Sequence, residues 1–284
     1  YRVVRPLPSL AVDYTIGDRY VIYAGARRRM RFDRLVEETT AGLPADFWIC
    51  AGEGLPAEDV YSAEIGARGI VPGTGILVSI EGYGRLSRHT AEFGGSLLDL
   101  ASADYNPLTA LYFGRGRAAG ISLTALRQTG RIRGQISYNY GISRTRIAHF
   151  GTASFPSAHD RPHDLNVRLN WTIMRGVDIS ATFTYATGLP CTLPKYGYMI
   201  GENLICEYYP HNSSRLPAYR RLDVAATYAW GGLARHKINL SVYNAAASRN
   251  LLFSYHTYSP ELGIYRRESV MKAVIPSVAY TFEF

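Results

Sequence analysis

No stretch of this sequence approaches the roughly 18 consecutive apolar residues that a membrane-crossing helix requires, which excludes a helical membrane protein. Tyr1 does not open a basic segment followed by a short apolar one, so no secretory leader is visible at the start. The chain is therefore expected either to be mature or to begin partway through a longer protein. Cysteine is scarce: Cys50, Cys191 and Cys206 are the three in 284 residues, and their spacing fits no metal-site template. Acid is outnumbered, 23 Asp and Glu against 31 Lys and Arg, for a net charge of +8. That balance would suit a nucleic-acid partner. Yet the arginines are dispersed, and the one dense run, Arg27, Arg28, Arg29, Arg31 and Arg34, has no RNP-like motif, zinc-finger spacing or recognition-helix pattern beside it. No nucleic-acid partner is expected.

What the sequence has in abundance is tyrosine, 22 residues, and glycine, 27, together with a period of two. At the C-terminus Val278, Tyr280, Phe282 and Phe284 alternate with Ser277, Ala279, Thr281 and Glu283, which gives a strand one aromatic face and one small or polar face. Leu165, Val167, Leu169 and Trp171 likewise alternate with Asp164, Asn166, Arg168 and Asn170 before Arg175 and Gly176 turn the chain, and Ile179, Ala181, Phe183 and Tyr185 continue the pattern on the return. Such a strand fits a soluble sandwich, with its apolar side on a core, or a membrane barrel, with that side in lipid.

The connections separate the two readings. About eleven strands of this kind can be placed, joined alternately by tight turns of a few residues and by loops of roughly twenty to thirty, far longer than compact soluble domains use. The long connections fall near residues 29–59, 87–114, 144–161, 188–217 and 245–267. Outer-membrane barrels have this asymmetry, with short turns in the periplasm and long loops outside the cell. Trp171, Tyr185, Trp230, Tyr280, Phe282 and Phe284 stand near strand ends on the apolar parity, as in the aromatic girdles of barrels. The expectation is an all-β transmembrane antiparallel barrel, integral to the outer membrane with its C-terminus in the periplasm.

Several motifs invite a sharper reading. Gly114, Gly116 and Gly120 superficially suggest a phosphate loop, but a strand rather than a helix follows, so no helix N-terminus awaits an anion. His159 and His163 are four apart, yet Pro162 would break the helix that brings such a pair onto one metal. No Ser, His and acid set stands in a recognisable nucleophile context, so no enzyme activity and no cofactor are expected; a barrel hydrolase, a surface adhesin and a passive pore remain the alternatives. The arginine run, with Arg28 and Arg31, is suited to lipopolysaccharide phosphates, to neighbouring loop carboxylates or to an anionic ligand. Trp48, Tyr196, Tyr198 and Tyr208 are loop aromatics able to stack on a ligand. Cys191 and Cys206 share one loop, open either to a disulfide in an oxidising compartment or to two free thiols.

Residues 159–165 (HDRPHDL), 178–190 (DISATFTYATGLP), 215–223 (RLPAYRRLD) and 275–284 (IPSVAYTFEF) resemble the C-terminal barrel of TonB-dependent outer-membrane receptors. Residues 42–48 (GLPADFW) and 61–66 (YSAEIG) resemble the branch with a carboxypeptidase-regulatory-like domain before the plug. The likeness spans nearly all of residues 1–284. It implies a barrel of about 22 strands, of which this chain would be the C-terminal half. The plug, the TonB box and the earlier strands would lie elsewhere. It also implies import of a scarce nutrient of the siderophore, vitamin, glycan or peptide class with energy from the TonB complex, an assembly signal at Phe284 read by the barrel-insertion machinery, and a surface lipoprotein as a further partner.

Overall fold

A computed structural model of the chain describes residues 4–36, 47–94, 104, 106–201, 203–232, 235–259, 261 and 263–284. Its strands, in chain order, begin with β1 (Ser9–Ile16), β2 (Tyr20–Arg31), β3 (Asp33–Val36), β4 (Phe47–Cys50), β5 (Glu58–Val71) and β6 (Ile76–Phe93). They continue with β7 (Leu111–Arg127), β8 (Ile132–Arg146), β9 (Phe155–Pro156), β10 (His163–Met174), β11 (Val177–Ala186), β12 (Pro190–Cys191) and β13 (Pro194–Ile200). The last are β14 (Asn203–Tyr208), β15 (Ser214–Arg215), β16 (Tyr219–Gly231), β17 (Arg235–Tyr243), β18 (Asn250–Ser259), β19 (Gly263–Met271) and β20 (Ile275–Glu283). No described helix is long and apolar enough to cross a membrane.

One antiparallel sheet takes the order β1-β2-β5-β6-β7-β8-β10-β11-β16-β17-β20, with β9 added beside β8. That path of eleven strands is the number expected, and every step joins neighbours along the chain. At one end, the turn end, the links are tight. Arg175 and Gly176 make a two-residue reversal in which Gly176 adopts φ 83, a left-handed conformation that costs glycine nothing. At the other, the loop end, the chain makes long excursions.

These excursions differ from the irregular loops expected. They fold into the ribbons β3–β4, β13–β14 and β18–β19 and the short pair β12–β15. The strands also run further than their alternation indicates: β6 has 18 residues and passes a bulge between Arg88 and Thr90, with His89 at φ 61. Residues 42–46 of the resemblance lie outside the described residues.

The two faces of the sheet are chemically opposite. On one, Ile65, Leu86 and Val278 are 63%, 62% and 75% exposed; with Ile22, Ile80, Ile121, Ile142 and Leu240 they form an apolar surface far beyond the few hundred Å² that a water-soluble monomer tolerates. On the other, side chains bond across strands. Tyr23 donates to Glu81 at 2.7 Å, Tyr83 and Ser122 both donate to Asn139 at 3.2 and 2.9 Å, and Asn239 donates to Thr227 at 2.8 Å. Away from the loop end, no second layer among the described residues covers either face, so the partial burial of the polar face there comes from curvature of the sheet around it. The polar face is the inside.

The buried apolar residues sit at the loop end. Ile49, Phe93 and Leu111 pack together where β4 meets β6 and β7. Arg34 fastens this ribbon down: its guanidinium donates to the His89 carbonyl at 2.7 Å and to the Pro56 carbonyl, and lies 5.7 Å from the Phe113 ring centre. Of the expected aromatic residues, Trp171, Trp230, Tyr280, Phe282 and Phe284 gather at the turn end on the apolar face. Trp230 stacks on His236 at 5.3 Å, His236 meets Phe282 at 5.0 Å, and Phe282 meets Phe284 at 5.9 Å. Tyr185, opposite Leu165 and Arg220, stands at the loop end.

Candidate ligand-facing site

The inner face at the loop end holds a polar cavity of about 280 Å³, lined by Arg31, Arg85, Thr90, Glu92, His159 and His211 among others. Strand alternation aims the first four inward: Arg31 pairs with Glu58 at 3.5 Å, and Thr90 donates to the same carboxylate at 3.1 Å. The Ser87 and Thr90 hydroxyls are hydrogen-bonded at 2.7 Å, as are those of Thr145 and Ser157 at 2.8 Å. The result is a wall of guanidinium, carboxylate and hydroxyl groups that already satisfy one another and retain further capacity to bond.

The segment between β11 and β16 closes over this wall. His211 Nε2 lies 2.6 Å from Glu92, 119 residues away in the chain, while its ring stacks on Phe150 at 4.0 Å and meets Phe155 edge-on at 4.7 Å. Arg215 donates to the Asp160 carboxylate, and to the Asp160 and Gly188 carbonyls at 2.7 and 3.2 Å. Asp160, 3% exposed, also accepts the Ser143 backbone N–H at 2.5 Å. Asn212 adds a bond to the Pro156 carbonyl at 3.1 Å. The residues 159–164 that superficially resemble a metal motif are thus a docking point for this strap. No group of three or more His, Cys, Asp or Glu able to hold a metal occurs among the described residues.

The expected ligand residues do not converge. Arg31 lines the cavity, but Arg28 does not: it lies on strand β2 with its side chain on the apolar face, held by Asp59 through bonds of 2.9 and 2.8 Å. Its parity matches Ile22, Ala24 and Ala26, so alternation rather than loop position decides where it points. Trp48 is 67% exposed on the β3–β4 ribbon. Tyr196 and Tyr198 share one face of β13, their ring centres 6.5 Å apart, and Tyr208 is exposed on β14. Glu207, opposite Tyr196, hydrogen-bonds its phenol and holds it above the usual tyrosine range, so the hydroxyl keeps its proton.

Cys191 and Cys206 are not bridged. Cys191 faces Ser214 in the β12–β15 pair and Cys206 faces Gly197 in the β13–β14 ribbon, so different partners fix them. Glu92 and His211 escape a reading of the sequence, since neither sits in a motif. Arg85 is legible as one of a polar face with Ser79, Glu81 and Tyr83, though not as a site residue.

No family model and no curated protein matches the sequence. Solved structures do. The ferric yersiniabactin uptake receptor FyuA from Yersinia pestis aligns at TM-score 0.63 and 13% identity, over 97% of this chain and 37% of that one. The pyoverdine outer membrane receptor FpvA from Pseudomonas aeruginosa aligns at TM-score 0.61 and 13% identity, over 98% and 36%. The ferric-catecholate import receptor Fiu from K12 E. coli aligns at TM-score 0.57 and 11% identity, over 97% and 34%. The chain thus spans about a third of the length of each. At such identities the likeness speaks for architecture: this chain has the barrel fold of TonB-dependent outer-membrane receptors.

Proposed function

We propose that this chain is the C-terminal eleven-strand part of an outer-membrane receptor, with its loop end outside the cell and its turn end in the periplasm. The receptor imports a scarce nutrient, most simply a metal chelate, with TonB energy acting on a plug carried elsewhere in the protein. The observation that carries this reading is the pairing of a bare apolar face with a hydrogen-bonded polar face beneath a loop-end cavity. Lipid accounts for the first, and a wet or plug-filled interior accounts for the second. Strands β1 and β20 each have one neighbour in the sheet, and an unpaired backbone edge in lipid costs several kcal/mol per group. The reading therefore requires further strands to close the barrel.

Uptake is proposed to start at the ribbons, where Trp48, Tyr196, Tyr198 and Tyr208 are exposed, and to pass to the cavity around Arg31, Arg85 and Glu92. Deleting the gene in its host and supplying iron as a panel of chelates tests this. Accumulation of at least one chelate should fall, should return with the full-length gene, and should stop when TonB is removed. A protein that fractionates away from the outer membrane, or uptake indifferent to TonB, would sink the proposal.

A further inference from the structure

The β3–β4 ribbon and the strap between β11 and β16 both reach the loop-end cavity, where Leu35 and His211 line it, but different chemistry holds them down. Ile49 fixes the ribbon by packing on Phe93 and Leu111, and apolar packing is given up only by exposing that surface to water. The strap is held by polar pairs. His211 meets Glu92 and Arg215 meets Asp160, each a side chain of the strap on an acid of the wall. At such a pair, water or a ligand can take the place of either partner.

His211 occupies a slot with three sides: Glu92 lies 2.6 Å from its Nε2, Phe150 is stacked on the ring at 4.0 Å, and Phe155 meets it edge-on at 4.7 Å. The residue after it opposes this docking. Asn212 has φ 53, in the left-handed region that side chains other than glycine enter uncommonly. Its amide nitrogen donates to the Pro156 carbonyl, yet its Oδ1 is buried and accepts no hydrogen bond, the one such side-chain atom among the described residues. An acceptor buried without a donor costs its lost hydration, and lifting the strap returns it to water. The docked strap is thus held at one residue and pushed off at the next.

With the strap down, the cavity encloses about 280 Å³, short of the roughly 300–1,000 Å³ of small-molecule sites. We propose that the strap is a lid, latched by His211 and Glu92, which must lift for a ligand to enter or leave, resting on the reading of that cavity as the ligand's destination. The described arrangement is the closed state. A site that is open only part of the time binds more weakly in proportion, so a weakened latch admits more. Were His211 and Glu92 contacts for the ligand alone, their loss would have the opposite sign.

The test measures access to the cavity in the full-length receptor in detergent, with Cys50→Ser, Cys191→Ser and Cys206→Ser removing the thiols of this chain. Ala118→Cys supplies the reporter, since Ala118 lies opposite Arg85 and Ser143 on the inner face and lines the cavity. Fluorescein maleimide is the bulky probe and methyl methanethiosulfonate the small one. Glu92→Gln keeps the shape of the latch without its charge, and His211→Phe keeps the stacked ring without the bond. Each should speed labelling by the bulky probe roughly tenfold and leave the small probe unchanged, and the two together should add little, as partners in one contact do. Heat-dependent gel mobility confirms that each variant is folded. Bulky labelling unchanged in the folded variants, or both probes accelerated alike, as in a wall that has merely loosened, would overturn the proposal. Neither a ligand nor TonB enters the measurement, so its failure leaves the transport reading standing, and failure of uptake leaves the lid standing.

Discussion

The Tyr23 hydroxyl reaches Glu81 at 2.7 Å by lying across the strand between them, over Gly66. Tyr23, Gly66 and Glu81 are successive partners on β2, β5 and β6. A side chain at position 66 would overlap the Tyr23 ring and sit 2.8 Å from the Ile80 carbonyl oxygen. Gly66→Ala is therefore expected to destabilise the barrel by about 1–3 kcal/mol, seen as a lower urea midpoint. Gly84→Ala, where the space is open, should be near neutral and serves as the comparison.

Arg215 holds the strap between β11 and β16 against a carboxylate that is almost wholly buried. Arg215→Ala leaves Asp160 without its charged donor, a loss of about 2 kcal/mol for hydrogen bonds to a charged group. The expected outcome is local: faster protease nicking within residues 188–217 and faster amide exchange there, with the global unfolding midpoint little changed. An unchanged nicking pattern would show that His211 and Asn212 suffice to dock the strap.

Capture at the ribbons predicts that Tyr196→Ala combined with Tyr208→Ala raises the KM for uptake by roughly tenfold, the loss of one or two stacking contacts, without altering the amount of folded receptor. Uptake kinetics identical to wild type would remove the β13–β14 ribbon from ligand capture.

The aromatic chain from Trp230 through His236 and Phe282 to Phe284 is expected to anchor the turn end at the membrane interface. Removing Phe284 should slow insertion by the barrel-assembly machinery, and Trp230→Ala should lower stability by about 1 kcal/mol. The folded fraction on unheated gels over time after synthesis measures both. Full-rate assembly without Phe284 would contradict its role as a signal.

The thiols can be checked directly for the absence of a bridge between Cys191 and Cys206. Cys50 is exposed and Cys191 buried, so a maleimide should label Cys50 rapidly and Cys191 only after unfolding, with gel mobility independent of reductant.

Much of the sheet was legible because a barrel strand separates lipid from a polar interior at every second residue, and Leu165 to Trp171 show that contrast without interruption. The ribbons were harder to read: β3 and β4 have four residues each, too short a run for a period of two to stand out, and what buries Ile49 and Arg34 comes from the distant Phe93, Leu111 and His89. The continuation of β6 to Phe93 was hidden by the bulge at His89, which resets parity. The side on which Arg28 stands follows from its parity with Ala26, which its place near a loop does not reveal. The contact of Glu92 with His211 depends on how a long segment folds back, and no local pattern encodes that.

Each step of the main sheet joins strands adjacent along the chain, and this sets how the wall can be laid down. No strand has to be threaded between two already paired, so the sheet can grow hairpin by hairpin, with loop closures short at every alternate step. Each addition relocates the exposed edge instead of creating another. At any moment during assembly a chaperone or insertion machine would have to guard a single growing seam.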